Sequence, residues 1–154
     1  MNNFIWSCDK FSQLDSLKIY ELIKLRVNVF VVEQNCPYPE LDDKDIHAET
    51  RHLTAYNNSQ LFAYARLLPA GVSYPEVSIG RFAVEESVRR QGLGSLLMEK
   101  SLNEITHIWP NSKIRMSAQT YLKDFYEKFG FSKVSDEYLE DGIPHIEMLR
   151  EILD

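Results

Sequence analysis

The chain has 154 residues, of which 44% are hydrophobic, and a formal net charge of −6 at pH 7. This length predicts a single domain, over residues 1–154, that is large enough to bury a core. The negative charge argues against nucleic acid or an anionic membrane as a general partner, and no apolar run approaches the about 20 residues that cross a bilayer. Two cysteines and no signal-peptide pattern favour a reduced, cytoplasmic setting.

Hydrophobic periodicity predicts a mixture of strands and helices. The predicted elements are a strand at 4–8, a helix from Leu14 to Phe30, a loop at 33–49, strands at 52–56, 61–68 and 77–84, a helix from Leu93 to Trp109, a strand at 114–118, a short helix before Gly130, and strands at 131–135 and 145–149. Asp15 or Ser16 caps the first helix. This order fits an α+β (α/β/α) fold with a largely antiparallel sheet between helices.

A basic turn that carries glycine joins the 77–84 strand to the helix that begins at Leu93. Its residues are Arg89, Arg90, Gln91, Gly92, Leu93, Gly94 and Ser95. The first N–H groups of a helix lack partners and favour an anion, and glycine lets the backbone approach it closely. The spacing fits neither a P-loop, which needs Lys after Gly94, nor a dinucleotide fingerprint, whose third glycine would fall at Leu97. The turn therefore predicts a different cofactor that carries phosphate.

A second motif follows at residues 118–131. Leu122, Phe125 and Phe129 share one helical face, and Gly130 stands where a helix end favours a left-handed residue. A new strand is predicted to start at Phe131.

These two motifs, in this order, resemble the GNAT family of N-acetyltransferases. Arg89, Gly92 and Gly94 match the Arg-x-x-Gly-x-Gly loop that binds the pyrophosphate of coenzyme A in that family. The family also has an amide residue, a tyrosine seven positions later and a Gly-Phe after a short helix, here Gln119, Tyr126 and Gly130-Phe131, although Asn is commoner than Gln at the first position. The stretches Arg26–Gln34 and Gly142–Met148 resemble its ElaA-like branch.

The resemblance implies a single GNAT-like domain with a central, mostly antiparallel mixed sheet, and acetyl-CoA as the co-substrate. Gly80 indicates a bulge or a close backbone approach in its strand, and in the family the corresponding strand splays from the next to admit the pantetheine arm. The implied cofactor contacts are the backbone of Phe82, Ala83 and Val84, the turn from Arg89 to Ser95, and the side chains of Gln119 and Tyr126.

Acetyl transfer to an amine needs a neutral amine, a donor for the oxyanion and a proton for the thiolate. By the resemblance, Tyr126 supplies that proton. We interpret Glu33 as the general base, while His52, His145 or a water chain remain alternatives. From their placement, Arg26, Tyr38, His52, Arg81 and His145 are assigned to the acceptor pocket.

The sequence therefore predicts an N-acetyltransferase that moves an acetyl group directly from acetyl-CoA to a primary amine of a small molecule or peptide. A non-catalytic acyl-CoA-binding or regulatory module and a nucleotide-binding protein remain alternatives, and a homodimer is left open. No metal is expected, because Asp42, Asp43 and Asp45 lack the EF-hand spacing. This acidic loop is interpreted as a solvated face, with attraction of a cationic acceptor as an alternative.

Overall fold

The computed structural model describes residues 3–152, so positions 1, 2, 153 and 154 of the predicted domain lie outside the described residues. Its strands and longer helices are β1 (Ile5–Asp9), α1 (Ser16–Arg26), β2 (Arg51–Asn57), β3 (Gln60–Leu68), β4 (Val77–Val84), α2 (Leu93–Ile108), β5 (Ile114–Gln119), α3 (Lys123–Glu127), β6 (Phe131–Lys133), β7 (Tyr138–Glu140) and β8 (Ile143–Arg150). Single 3₁₀ turns lie at Phe11–Gln13, Lys44–Ile46, Glu86–Val88 and Thr120–Leu122.

The strands form one mixed sheet in the order β1-β2-β3-β4-β5-β8-β6, with β7 also paired to β8. Every pairing is antiparallel except that of β4 with β5, which is parallel and joins only Val77 to Ile114 and Ser78 to Arg115. The predicted mostly antiparallel sheet is therefore confirmed. Beyond Ser78 the two central strands no longer pair, so a gap opens between them.

A bulge interrupts β4 where this gap begins. The register between β3 and β4 shifts between Tyr64 and Arg66, and Arg81 has a left-handed φ of 51°. The irregularity predicted at Gly80 is present, but its left-handed residue is the neighbouring Arg81. A positive φ is uncommon for a residue with a side chain, so surrounding contacts must hold Arg81 there.

Helices cover both faces of the sheet. On one face, α2 and α3 pack over the main core, with Leu97, Met98 and Ile105 at its centre. On the other face, Leu22 and Leu25 of α1 pack against β3 and β4. Helix α1 covers only part of this face of the sheet. The part formed by β5, β7 and β8 is left uncovered by α1 and lines a cleft.

The first helix changes geometry along its length. Asp15 caps it by accepting a hydrogen bond from the Lys18 backbone N–H, as predicted. The α-helical part ends at Arg26, and the β-branched stretch Val27–Glu33 continues as a π-helix. Such segments are rare and occur frequently at functional sites.

Three further findings concern the whole described chain. Within residues 3–152, none of the helices is both long enough and apolar enough to span a bilayer. In the same residues, no group of three His, Cys, Asp or Glu side chains is arranged to hold a metal ion. Cys8 and Cys36 are both free thiols.

Candidate active site

The gap between β4 and β5 opens into a cleft of about 750 Å³. One end is bounded by the basic turn and α3. The other end is bounded by the loop after the π-helix and by the β7–β8 hairpin. The residues assigned from the sequence that line this cleft are Glu33, Tyr38, Arg81, Phe82, Ala83, Val84, Arg89, Arg90, Gly94, Gln119, Tyr126 and His145.

Two residues assigned to the acceptor pocket do not line the cleft, which corrects the sequence prediction. Arg26 is 0% exposed, and its guanidinium pairs with Glu40 at 2.6 Å and Asp45 at 2.7 Å. His52 is also fully buried, with Nδ1 2.7 Å from the Tyr64 hydroxyl and Nε2 3.0 Å from the Asp45 carbonyl oxygen. Burial lowers the pKa of His52 and favours the neutral ring. Both side chains therefore lie in the interior of the protein and outside the cleft lining.

The basic turn presents an open helix end to the cleft. Gly92 directly precedes α2 with a φ of 85°, and no side chain of residues 3–152 caps the helix there. Arg90 is also left-handed, with a φ of 64°. The N–H groups at the start of α2 therefore remain available to an anion. Of the other residues of this turn, Gln91, Gly92, Leu93 and Ser95 do not line the cleft, and the Leu93 side chain is buried in the core.

Glu33 lies at this same end of the cleft. Its carboxylate pairs with the Arg89 guanidinium at 2.8 Å. Arg89 Nε also donates to the Val84 carbonyl oxygen at 2.9 Å, which ties the turn to the end of β4. Glu33, which was interpreted as the general base, therefore pairs with Arg89, which was assigned to the pyrophosphate of the cofactor.

Tyr126 sits in an aromatic cluster where α3 lines the cleft. It is 4% exposed, and its ring centroid lies 5.2 Å from that of Phe125 and 6.2 Å from that of Phe82. Burial raises the pKa of its phenol above the ordinary range, so the hydroxyl keeps its proton at neutral pH. Among residues 3–152, no side chain or backbone group is hydrogen-bonded to this hydroxyl.

Asp42 and Asp45 of the acidic loop do not form a solvated face, contrary to the sequence interpretation, whereas Asp43 is exposed. The two carboxylates and Glu40 join an ion-pair cluster with three arginines, whose members are Arg26, Glu40, Asp42, Asp45, Arg66 and Arg81. Glu40 Oε2 accepts from both Arg26 and Arg81, at 2.6 and 2.8 Å, while Oε1 accepts from the Tyr38 hydroxyl. The three acids balance the three arginines, so this wall carries no net charge. The Glu40 contact also holds Arg81 in its left-handed conformation.

Of the three carboxylates of the cluster, Asp42 lines the cleft. Its two carboxylate oxygens each accept from Arg66 at 2.8 Å. Burial opposes ionisation of Asp42, but the hydrogen bonds and charge of Arg66, with help from Arg81, outweigh it and lower its pKa to about 2. Sequence reasoning missed Arg66, although a charged residue within the apolar run of β3 was a usable signal, since buried arginines are almost always paired.

The β7–β8 hairpin contributes residues that sequence reasoning also missed. Glu140 Oε2 lies 3.3 Å from His145 Nε2, and Ser117 on β5 donates to the other carboxylate oxygen at 3.3 Å. Cys36 Sγ donates to the Asp141 carbonyl oxygen at 3.2 Å and joins the hairpin to the loop opposite. The three residues of β7 were too few to give a strand signal.

Comparison with known proteins gives a consistent family. Residues 26–152 match the model of the acetyltransferase (GNAT) domain. The chain is 43% identical to protein ElaA of Escherichia coli (strain K12) over 148 residues, which are 96% of this chain and 97% of that protein. The crystal structure of Escherichia coli ElaA superposes with a TM-score of 0.91 at 42% identity and covers 96% of this chain and 99% of that one.

Two further solved structures are similar. An acyl-CoA N-acyltransferase from Pseudomonas aeruginosa has a TM-score of 0.92 and 42% identity, over 96% of this chain and 99% of that one. An aminoglycoside 6′-N-acetyltransferase complexed with coenzyme A has a TM-score of 0.68 at 15% identity, over 96% of this chain and 98% of that one, a likeness of fold alone. With the splayed central strands, the open helix end and the matched domain, this chain belongs to the GNAT acetyltransferase family.

Proposed function

We propose that this protein is a cytoplasmic N-acetyltransferase that moves an acetyl group directly from acetyl-CoA to a primary amine, without a metal. The observation that carries the proposal is the meeting, in one cleft, of an uncapped helix N-terminus, a splayed pair of strands and a buried, protonated Tyr126. Family membership and the coenzyme A bound by a protein of the same fold support the choice of cofactor.

The residues present fit acetyl-CoA. The N–H groups from Leu93 to Ser95 would hold the pyrophosphate, with Arg89 and Arg90 beside them. Gly94 leaves room for this approach, because a Cβ there would meet nothing closer than the Phe125 ring at 3.9 Å. The edge of β4 that faces β5 has no partner strand beyond Ser78 within residues 3–152. The backbone of Phe82 and Ala83 would pair with the pantetheine arm along this edge.

When bound, acetyl-CoA supplies an activated thioester carbonyl. A β4 backbone N–H donates to the carbonyl oxygen as negative charge develops on it. Tyr126 donates its phenolic proton to the departing sulfur as negative charge develops there, and its raised pKa keeps the proton on the phenol until then. The aromatic packing around Tyr126 holds the ring in place within the cleft.

The first test is calorimetric titration with acetyl-CoA, CoA, ATP and NAD. We expect binding of acetyl-CoA and CoA but not of ATP or NAD, and loss of that binding in Arg89→Glu. Lys113→Glu is the matched control, since Lys113 lies outside the cleft and pairs with Glu151 at 3.3 Å. Absence of acetyl-CoA binding by folded protein would contradict the proposal, and competition by ATP or NAD would favour a nucleotide-binding protein.

Catalysis is tested with Tyr126→Phe, which removes one hydroxyl from the cleft. We expect turnover with a primary amine to fall by about 10²- to 10⁴-fold while acetyl-CoA affinity stays within about twofold. Tyr20→Phe, on the exposed side of α1, should change neither quantity. Tight acetyl-CoA binding by a wild-type protein that acetylates no primary amine would favour the alternative of a non-catalytic acyl-CoA-binding module.

A further inference from the structure

The end of the cleft away from the basic turn is built on a polar face of the sheet. Strand alternation places Met116, Ala118 and Ile146 in the core on one side, and Ser117 and His145 on the other. This second face lies beyond α1, which packs on β3 and β4. An acceptor entering the cleft from this end therefore meets the side chains of β5, β7 and β8 first.

Three carboxylates in or beside the cleft are already paired with arginine. Glu33 pairs with Arg89 at 2.8 Å, and Asp42 pairs with Arg66 at 2.8 Å. Glu40 is nearly buried between two arginines. Among the ion pairs of residues 3–152, Glu140 instead faces an imidazole, and its side chain is 51% exposed. The Glu140–His145 pair thus differs from these three carboxylates, because it can accept a proton without first losing an arginine.

The His145 ring is fixed in a defined orientation. It is 7% exposed, and Nδ1 lies 2.7 Å from the Ile143 carbonyl oxygen. A carbonyl oxygen only accepts hydrogen bonds, so Nδ1 carries a proton and Nε2 holds the lone pair of the neutral ring. The Tyr138 ring stacks on His145 with centroids 6.2 Å apart and an angle of 23°. Nε2 therefore faces Glu140, and in the neutral ring both groups are acceptors, so a donor such as an ammonium placed between them can donate to each.

The groups around this pair are acidic or uncharged. From β7 come Glu140 and Tyr138, from β5 Ser117 and Gln119, from the hairpin turn Asp141, and from β8 Glu147. Tyr74 approaches from the β3–β4 loop, where burial and the nearby Tyr138 and glutamates raise its pKa to about 12. The guanidinium of Arg115 forms ion pairs with Glu76 and Glu147, each at 2.9 Å.

We propose that His145 Nε2 is the general base for the acceptor amine, and that Glu140 binds the incoming ammonium and then stabilises the imidazolium. This inference rests on the proposed function. The ammonium gives one proton to Nε2, and the neutral amine attacks the thioester carbon. The C–N bond forms as the C–S bond breaks, and the sulfur leaves with the Tyr126 proton. The second amine proton passes through the cleft to the Tyr126 phenolate and restores the phenol. His145 then releases to solvent the proton that it took from the ammonium.

The test compares two amine probes that differ in their need for a base. Ethylamine is almost entirely protonated at neutral pH, whereas 2,2,2-trifluoroethylamine is largely uncharged. We expect His145→Gln to lower kcat/KM for ethylamine by about 10²- to 10⁴-fold and to lower it far less for trifluoroethylamine. A merely structural role of His145 would lower both values equally.

Glu140→Gln provides a second variant, because an exposed side chain is replaced by one of the same shape. It should raise KM for ethylamine more than it lowers kcat, and it should leave trifluoroethylamine kinetics unchanged. His107→Gln, on the exposed last turn of α2, is the matched histidine control and should change neither amine.

The outcomes separate the two proposals. Equal losses with both amines in His145→Gln, or unchanged ethylamine kinetics in both variants, would overturn this inference while leaving N-acetyltransferase activity intact. Acetyl-CoA binding without acetylation of either amine by the wild-type protein would overturn the proposed function, and this inference with it.

Discussion

Replacing Glu40 with alanine should destabilise the fold more than removal of any carboxylate from a surface ion pair. The Glu40 side chain is 5% exposed and accepts hydrogen bonds from the guanidinium groups of Arg26 and Arg81, at 2.6 and 2.8 Å. Removing one partner of a buried ion pair costs about 3–5 kcal/mol, because the other charge is left uncompensated. Arg26 keeps Asp45 at 2.7 Å, so we expect a loss of about 3 kcal/mol, the lower end of that range.

The measurement is urea unfolding followed by circular dichroism, with the free energy of unfolding obtained by linear extrapolation. Glu49→Ala is the matched control, since Glu49 pairs with Lys10 at 3.3 Å on an exposed surface and should cost less than about 1 kcal/mol. Glu40→Gln, which keeps an acceptor oxygen but not the charge, should fall between the two. A Glu40→Ala loss equal to that of the control would refute the idea that this cluster fixes the loop to the sheet.

Two further predictions concern titratable groups. The pKa of Asp42 is lowered from 3.8 to about 2 in the fold, so its stabilisation is present above about pH 4 and is lost as pH falls through about 2. Asp42→Asn should therefore cost about 1–2 kcal/mol at pH 7, after allowance for partial exposure, and this difference should shrink on acid titration monitored by urea unfolding; a gap independent of pH would contradict it. Burial, with Glu104 nearby, raises the pKa of the Cys8 thiol to about 12, so iodoacetamide at pH 7 should alkylate Cys8 much more slowly in folded than in urea-unfolded protein, as followed by peptide mass spectrometry, and equal rates would argue against this burial.

Features that depend on neighbours in the sequence were predictable. Asp15 caps α1, and Gly130 has a φ of 90° where a left-handed helix end was expected. The sheet class also followed, because the hydrophobic pattern sets the order of strands and helices. These signals are local, since caps and periodic faces involve residues a few positions apart.

Side-chain partners across the fold were not predictable. Glu33 meets Arg89 from 56 positions away, and Arg81 meets Glu40 from 41. Arg26 was assigned to the acceptor pocket from its position at the start of the Arg26–Gln34 stretch, yet its side chain is buried in the interior. Only the packing of the loop against the sheet decides which of several arginines each carboxylate reaches.

The two ends of the cleft are encoded by separate stretches of the chain. The end with the open helix is formed by residues 82–95 and 119–126, and the opposite end by residues 34–44 and 138–145. Substitutions can therefore remodel the shape and charge of one end while the other keeps its geometry. The contact from Cys36 to Asp141 spans 105 positions, so a graft of new specificity has to exchange the loop and the hairpin as a matched set.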